Sequence, residues 1–337
     1  MDQTLNSITA VSGLKIGNVH DATLCSGVTV MLSDRPFVCA VDIRGGATGT
    51  RETDAISLAG TLEEAHAIVL SGGSAFGLAA ASGVQAWLAA KGVGFAVGGA
   101  RVPVVPGAIV FDLLNGGDKS WGAHPPYEAM GRAACAAATD RCGAGSLGAG
   151  YGATTATLRG GLGTAASNLD HGLIVGALAV VNPVGSVTVG ASPNFWAAPF
   201  EQDGEFGGRG LPIPWASDAL DIRLKRAVTG PGQNTTIAIV ATNARLSKRE
   251  AHRLAVMAQT GLARAIYPVH TPLDGDLVFA VSTGDVALML DPEALAALGA
   301  HAANTLARAI ARGVYHADAA PALWTGPPAY RTLFQGI

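Results

Sequence analysis

Six apolar runs rich in β-branched residues constrain this chain most: 27–32, 37–43, 67–70, 172–181, 235–242 and 277–282. Each is bounded by glycine, proline or small polar residues, and each reads as a strand. Between and after them the apolar period lengthens to that of a helix at 75–91, 127–139, 248–266 and 292–312. In the last of these Leu295, Leu298, Ala302, Leu306, Ala309 and Ile310 make one stripe, the spacing of a core-facing helix. Ser74 is placed to cap the helix from Ala75, and Gly92 to end it. Strands and helices are mixed throughout, which predicts layered α/β or α+β packing. The 45 glycines are not periodic; they fall at the ends of apolar runs, where turns and close backbone approach need a residue without Cβ.

Composition narrows the function classes. Hydrophobic residues make up 49% and charged residues 14% of 337, the profile of a large, well-packed globular chain that also buries surface against other subunits. No membrane span is expected, because the apolar stretch from Gly172 to Val181 is too short and ends at Asn182-Pro183. Met1-Asp2-Gln3-Thr4 lacks the basic start of a secretory signal, so the cytoplasm is the expected compartment. A net charge of −3 without a Lys/Arg cluster gives no electrostatic reason to expect nucleic acid. Cys25, Cys39, Cys135 and Cys142 form no C-x-x-C and read as reduced, buried thiols. The eight histidines are dispersed, and no metal site is expected.

One segment stands apart. From Ser192 to Gln233 periodicity fades, five prolines intervene, and the polar stretch 201–205 suggests a long surface excursion with one helical turn near 218–226. It stops at Asn234, directly before the strand 235–242. Such a loop-to-strand junction is an accessible place to break a chain.

Three patterns invite chemistry. Gly143-Ala144-Gly145-Ser146-Leu147-Gly148 matches G-x-G-x-x-G but lacks the strand-turn-helix setting that places a pyrophosphate. Ser71–Gly77 resembles a nucleophile elbow, yet Phe76 stands where that motif needs glycine, so Ser74 reads as a helix cap. The third is Asn234-Thr235-Thr236 at the strand entry. A threonine hydroxyl needs a base. Breaking the preceding peptide bond supplies one on the same residue, since a free α-amino group has a pKa of about 7.7–8.0. A strand start at a sheet edge would hold the new terminus rigidly. On local sequence alone, Thr235 and Thr236 read better as ordinary β-branched strand residues. Asp274-Gly275-Asp276 reads as a solvated turn.

A set of motifs in fixed order favours the chemical reading. They run Asn6–Thr9, Asp42–Ala47, Gly49–Asp54, Leu70–Leu78, Gly160–Ala165, Val181–Gly185, Asn234–Ile237 and Asp274–Ala280. With them the chain resembles the DmpA-type self-cleaving aminopeptidases, a family that includes β-peptidyl aminopeptidases and, nearest in motifs, nylon oligomer hydrolases. The resemblance spans nearly the whole chain. It implies a single domain over 1–337 with an αββα layered sandwich, that of an N-terminal-nucleophile hydrolase. It further implies self-cleavage between Asn234 and Thr235 into chains 1–234 and 235–337, assembled as a tetramer of cleaved heterodimers. Thr235 matches the nucleophile, Asn182 an oxyanion donor, and Asp274 and Asp276 the acids that orient the Thr235 amine. Backbone N–H groups near the glycine-rich segment would assist Asn182. The implied substrate is a short peptide or peptide-like oligoamide, with no cofactor and no metal.

Departures from the pattern are specific. Thr157 stands in the region where nylon hydrolases carry a functional lysine, and no lysine lies between Lys119 and Lys225. Val110-Phe111-Asp112 replaces a tyrosine of that arm, and Pro106–Phe111 lacks the acidic residue with which β-peptidyl aminopeptidases hold the substrate amine. The alternative reading is an acyltransferase of the ornithine acetyltransferase type, although its cleavage-site motif is not recognisable around Thr235.

Overall fold

A computed structural model describes residues 6–225, 234–287 and 290–335. The chain start 1–5, the end of the long excursion (226–233), and with it Gly232-Gln233 before the candidate nucleophile, lie outside the described residues. The strands are β1 (Leu14–Asp21), β2 (Ser26–Ile43), β3 (Thr50–Arg51), β4 (Glu64–Ser71), β5 (Phe95–Val97), β6 (Ala100–Val102), β7 (Gly107–Ile109), β8 (Gly161–Asn168), β9 (Ile174–Asn182), β10 (Thr235–Ala244) and β11 (Leu277–Val286). The helices are α1 (Ala79–Ala89), α2 (Tyr127–Ala136), α3 (Lys248–Ala265), α4 (Pro292–Tyr315) and α5 (Tyr330–Leu333).

The hydrogen-bonded order is β3-β7-β4-β2-β11-β10-β9-β8, with β1 also on β2, and β5-β6 form a separate hairpin. β2 joins two layers. Its first part pairs with β1 and β4, its second part pairs with β11, and the register slips between Leu32 and Phe37. The sequence separates these parts into two strands at Ser33–Pro36. The chain instead runs through as one strand with an irregularity, the position where a sheet tolerates proline and bends.

Side-chain alternation then sorts three cores. Met31, Ile68, Leu70, Leu178, Ile237, Ile239 and Phe279 fill the space between the layers. Ala238, Val240, Val278 and Ala280, on the opposite face, pack against α3 and α4. Val28, Val30, Ala67 and Val69 pack against α1 and α2. The stacking is therefore helix, sheet, sheet, helix: the expected αββα sandwich. β10 is buried at every position, as a strand covered on both faces must be.

Helix ends follow local chemistry. Ser247 and Glu250 form a reciprocal capping box on α3. Asp291 caps α4 with Pro292 in its first turn. α4 lies close on β8 because Gly163 has no Cβ; one there would stand 1.8 Å from the Ala309 carbonyl oxygen.

Ser74 departs from its expected role. It opens a 3-10 turn (Ser74–Leu78) with φ +52°, Gly73 occupies the cap position, and no side-chain cap bond forms. Asp112 draws in the Gly73 N–H at 2.7 Å, which tightens the strand-to-helix turn and denies Ser74 the cap position. The excursion after Ser192 is also less superficial than its polarity suggests. Phe195, Ala197 and Phe206 are buried, and Glu205 meets Arg308 of α4 at 2.5 Å. Only 218–220 of the stretch 218–226 lie in a turn, 221–225 are irregular, and no helix begins there among the described residues. Cys25, Cys39 and Cys135 are buried free thiols, and Cys142 is half-buried. No helix among the described residues is long and apolar enough to cross a membrane.

Candidate active site

Strand direction brings the candidate residues together. β9 is antiparallel to β10, so its last residue, Asn182, pairs with Thr235, the first residue of β10. β11 is parallel to β10, so its entry also lies at that end, and Asn234 bridges to Asp274 just before it. Thr235, Asn182, Asp274 and Asp276 thus converge from three segments, all at most 1% exposed. The Asp42–Ala47 motif cradles the acidic turn from a fourth. Arg44 and Gly45 donate main-chain N–H groups to the Asp276 carbonyl at 2.9 and 3.0 Å, and Ala47 donates to that of Asp274 at 2.8 Å. A side chain on Gly45 would meet the Asp276 nitrogen at 2.2 Å.

The bond ahead of Thr235 is the centre of this arrangement. Thr235 Oγ1 donates to the Asn234 carbonyl oxygen, and the Gly275 N–H donates to the same oxygen at 2.8 Å. The hydroxyl therefore lies against the carbonyl of its own preceding residue, which a main-chain donor already polarises. Two expectations change here. The junction is not an accessible break, since Asn234 is 4% and Thr235 1% exposed. Nor is it at a sheet edge: β10 is central, hydrogen-bonded on both sides.

Both carboxylates are fully engaged. Asp276 Oδ1 accepts Thr236 N–H at 2.7 Å, while its Oδ2 takes the His270 N–H at 3.1 Å and faces His270 Nδ1 at 2.9 Å. Asp274 accepts Val184 N–H at 3.0 Å on one oxygen, and the Thr271 N–H (3.0 Å) and hydroxyl (2.7 Å) on the other. Burial, and then the neighbouring Asp276 charge, raise the Asp274 carboxyl above its ordinary range. The D-G-D segment is thus a buried, donor-saturated turn. Asp276 grips the main chain one residue beyond Thr235.

Asn182 is anchored by its oxygen. Oδ1 accepts Thr154 N–H at 2.9 Å, and Nδ2 donates to the Phe111 carbonyl at 3.2 Å. The glycine-rich segment supplies fewer free donors than expected. Gly160 N–H is held by Ala153 O and Thr154 N–H by Asn182, and the N–H on the Asn234 carbonyl is that of Gly275. Gly145 pairs both ways with Leu162 at 2.8 Å, so the G-x-G-x-x-G run forms no phosphate cradle.

One residue escaped the sequence reading. Lys225 Nζ donates to Asn182 Oδ1 at 3.1 Å, in the neighbourhood of Thr154–Thr157 where a lysine was missing. Loss of hydration pulls its pKa down to about 7, with Asp274 acting in the opposite direction. It lies outside every motif, in the excursion that leads to Asn234, so no spacing rule points to it.

The profile of peptidase family S58 matches residues 6–323. The chain belongs to this family. An uncharacterized aminopeptidase of Mycobacterium tuberculosis is 42% identical, covering 98% of this chain and 99% of its own. A 6-aminohexanoate-oligomer endohydrolase of Kocuria sp. is 33% identical over 83% of this chain and 76% of its own. Among solved structures, a Burkholderia sp. β-aminopeptidase superposes with a TM-score of 0.70 at 23% identity, covering 98% of this chain and 92% of its own. The L-aminopeptidase D-Ala-esterase/amidase of Ochrobactrum anthropi, described as a variant of the Ntn-hydrolase fold, gives 0.70 at 21%, covering 97% and 93%. Membership of S58 makes the protein a hydrolase of peptide or other amide bonds and favours that reading over the acyltransferase.

Proposed function

We propose that this S58 protein is a self-processing amide hydrolase whose nucleophile is Thr235, released by cleavage of its own Asn234–Thr235 bond. The observation that carries the reading is the shared Asn234 carbonyl oxygen, contacted by Thr235 Oγ1 and by Gly275 N–H at 2.8 Å. In the precursor, Thr235 Oγ adds to the Asn234 carbonyl carbon, and the Gly275 N–H stabilises the developing oxyanion. Collapse transfers the acyl group from nitrogen to oxygen, and water then hydrolyses the ester. Asn234 becomes a carboxylate terminus, and Thr235 gains a free amine.

The free amine then serves as base for its own hydroxyl, directly or through one water. Thr235 Oγ attacks the substrate carbonyl, the protonated amine passes its proton to the leaving amine, and water resolves the acyl-enzyme. Asn182 donates a neutral side-chain N–H to the oxyanion, which suits a charge that exists only during the reaction. Asp276, through Thr236 N–H, and Asp274, through Val184 N–H, hold the main chain around the nucleophile and favour the protonated amine. Burial of Thr235 at 1% exposure supports a strict order: the cut precedes any turnover.

The substrates are short peptides or peptide-like oligoamides, the class that joins the aminopeptidase and oligoamide-hydrolase relatives. The active form is a cytoplasmic oligomer, a tetramer of cleaved heterodimers. Denaturing electrophoresis with N-terminal sequencing tests the central step. Two bands are expected, the smaller beginning Thr-Thr-Ile-Ala. Active material made of one intact polypeptide would overturn the reading.

A further inference from the structure

We infer that Lys225 is a positioning residue for the oxyanion donor Asn182, reaching it from the segment that leads into the cleavage site. The inference rests on the function proposed above and adds to it a residue outside every motif.

Donor chemistry carries the argument. Asn182 Oδ1 meets Thr154 N–H at 2.9 Å, Thr154 Oγ1 at 3.4 Å and Lys225 Nζ at 3.1 Å. A main-chain N–H can only donate, and so can the ammonium form of Lys225, so these partners fix which end of the Asn182 amide is the oxygen. The nitrogen end is then turned away from Lys225. One of its two N–H groups reaches the Phe111 carbonyl at 3.2 Å. The second is uncommitted among the described residues, and Asn182 is the cross-strand neighbour of Thr235. Without Lys225, Thr154 alone would hold the oxygen, and the amide would be freer to swing.

A second contribution is electrical. A hydrogen bond from an ammonium is stronger than one from a neutral donor, and it draws electron density from the amide, making the opposite N–H a better donor. Lys225 is itself held in place by its backbone N–H to the Val184 carbonyl at 2.8 Å, and Nζ also touches the Asn182 carbonyl at 3.4 Å. The charged group facing it is Asp274, from the D-G-D turn, which favours its ammonium form, while burial works against it. With a pKa near 7, the ammonium is lost as pH rises through neutrality. The Thr235 amine, by contrast, must be unprotonated to act, at a reference value of about 7.7–8.0. Turnover is therefore limited on the acid side by Thr235 and on the alkaline side by Lys225.

The test uses the mature cleaved protein and the aminoacyl p-nitroanilide that the wild type turns over fastest, with kcat and KM measured across pH. Lys225→Met removes the donor and keeps the bulk; kcat should fall roughly tenfold or more, as loss of positioning does, with KM little changed. Lys225→Arg keeps a donor that does not titrate, so the alkaline limb should vanish from its profile. A Lys225→Met protein with kcat within twofold of wild type, or a Lys225→Arg profile that retains the alkaline limb, overturns the assignment. If Lys225→Met fails to fold, by circular dichroism, the Lys225→Arg profile decides alone. Wild-type protein that is uncut yet active defeats the underlying function; cut, active wild type with indifferent Lys225 variants defeats only the role of Lys225.

Discussion

The Gly275 N–H lies 2.8 Å from the carbonyl oxygen of Asn234, so the turn between the two acidic residues is a donor to the bond that the proposed self-processing would open. The same glycine leaves room for the Thr235 hydroxyl: a Cβ there would stand 2.7 Å from Thr235 Oγ1 and 2.6 Å from the Ala47 carbonyl oxygen. Gly275→Ala should displace the hydroxyl and slow chain scission on the order of 10²-fold, the cost of misplacing a reacting group by about 1 Å. Precursor should accumulate on denaturing gels as a single band. Scission at the wild-type rate would mean that this turn does not shape the attack.

Thr235 itself is tested by two substitutions. Thr235→Ala lacks the proposed attacking oxygen, and should remain one chain of 337 residues without amidase activity. Thr235→Ser retains hydroxyl and amine and should still be cut, although the missing methyl lets χ1 wander and lowers the rate. Turnover by Thr235→Ala at the wild-type level would discard the mechanism.

Asn182→Ala removes the side chain proposed as an oxyanion donor and leaves the strand pairing with Thr235 intact. The expected loss is about 10²–10³-fold in kcat. A neutral donor should matter in the transition state more than in substrate binding, so KM should change little. A twofold loss in kcat would take Asn182 out of that role.

Layering and strand content were legible because apolar period and β-branching are local properties: β10 and β11 begin at Thr235 and Leu277, as their apolar runs do. Asn182, Asp274 and Asp276 could be named from motif order, yet what each one holds was not legible. Val184, Thr271 and His270 saturate the acids through main-chain N–H groups, which leave no trace in composition. Lys225 was missed for a related reason. It reaches Asn182 from a position 43 residues away in a segment without periodicity, and only chain crossing reveals that neighbourhood. The same segment hid Glu205, whose polar surroundings suggested solvent while its side chain meets Arg308.

That buried ion pair gives a prediction about stability. Arg308 binds Glu205 at 2.5 and 3.0 Å, with Asn6 donating to the same carboxylate at 2.7 Å and Arg312 Nε at 3.6 Å. Side-chain exposure is 2% for Arg308 and 8% for Glu205. Burial alone would raise the Glu205 pKa, but the Arg308 hydrogen bonds and charge outweigh it, and the net shift is downward. A depressed carboxyl pKa stabilises the fold above the unfolded value of about 4.3, and that contribution is lost as pH falls through the folded value. Glu205→Ala would leave Arg308 buried without its partner and should cost about 3–5 kcal/mol at pH 7. Because only the wild type loses the contribution in acid, the gap between the two proteins in denaturant unfolding should narrow as pH is lowered below about 4. A gap that stays constant from neutral to acid pH would show that the pair's charge does not hold the excursion onto α4.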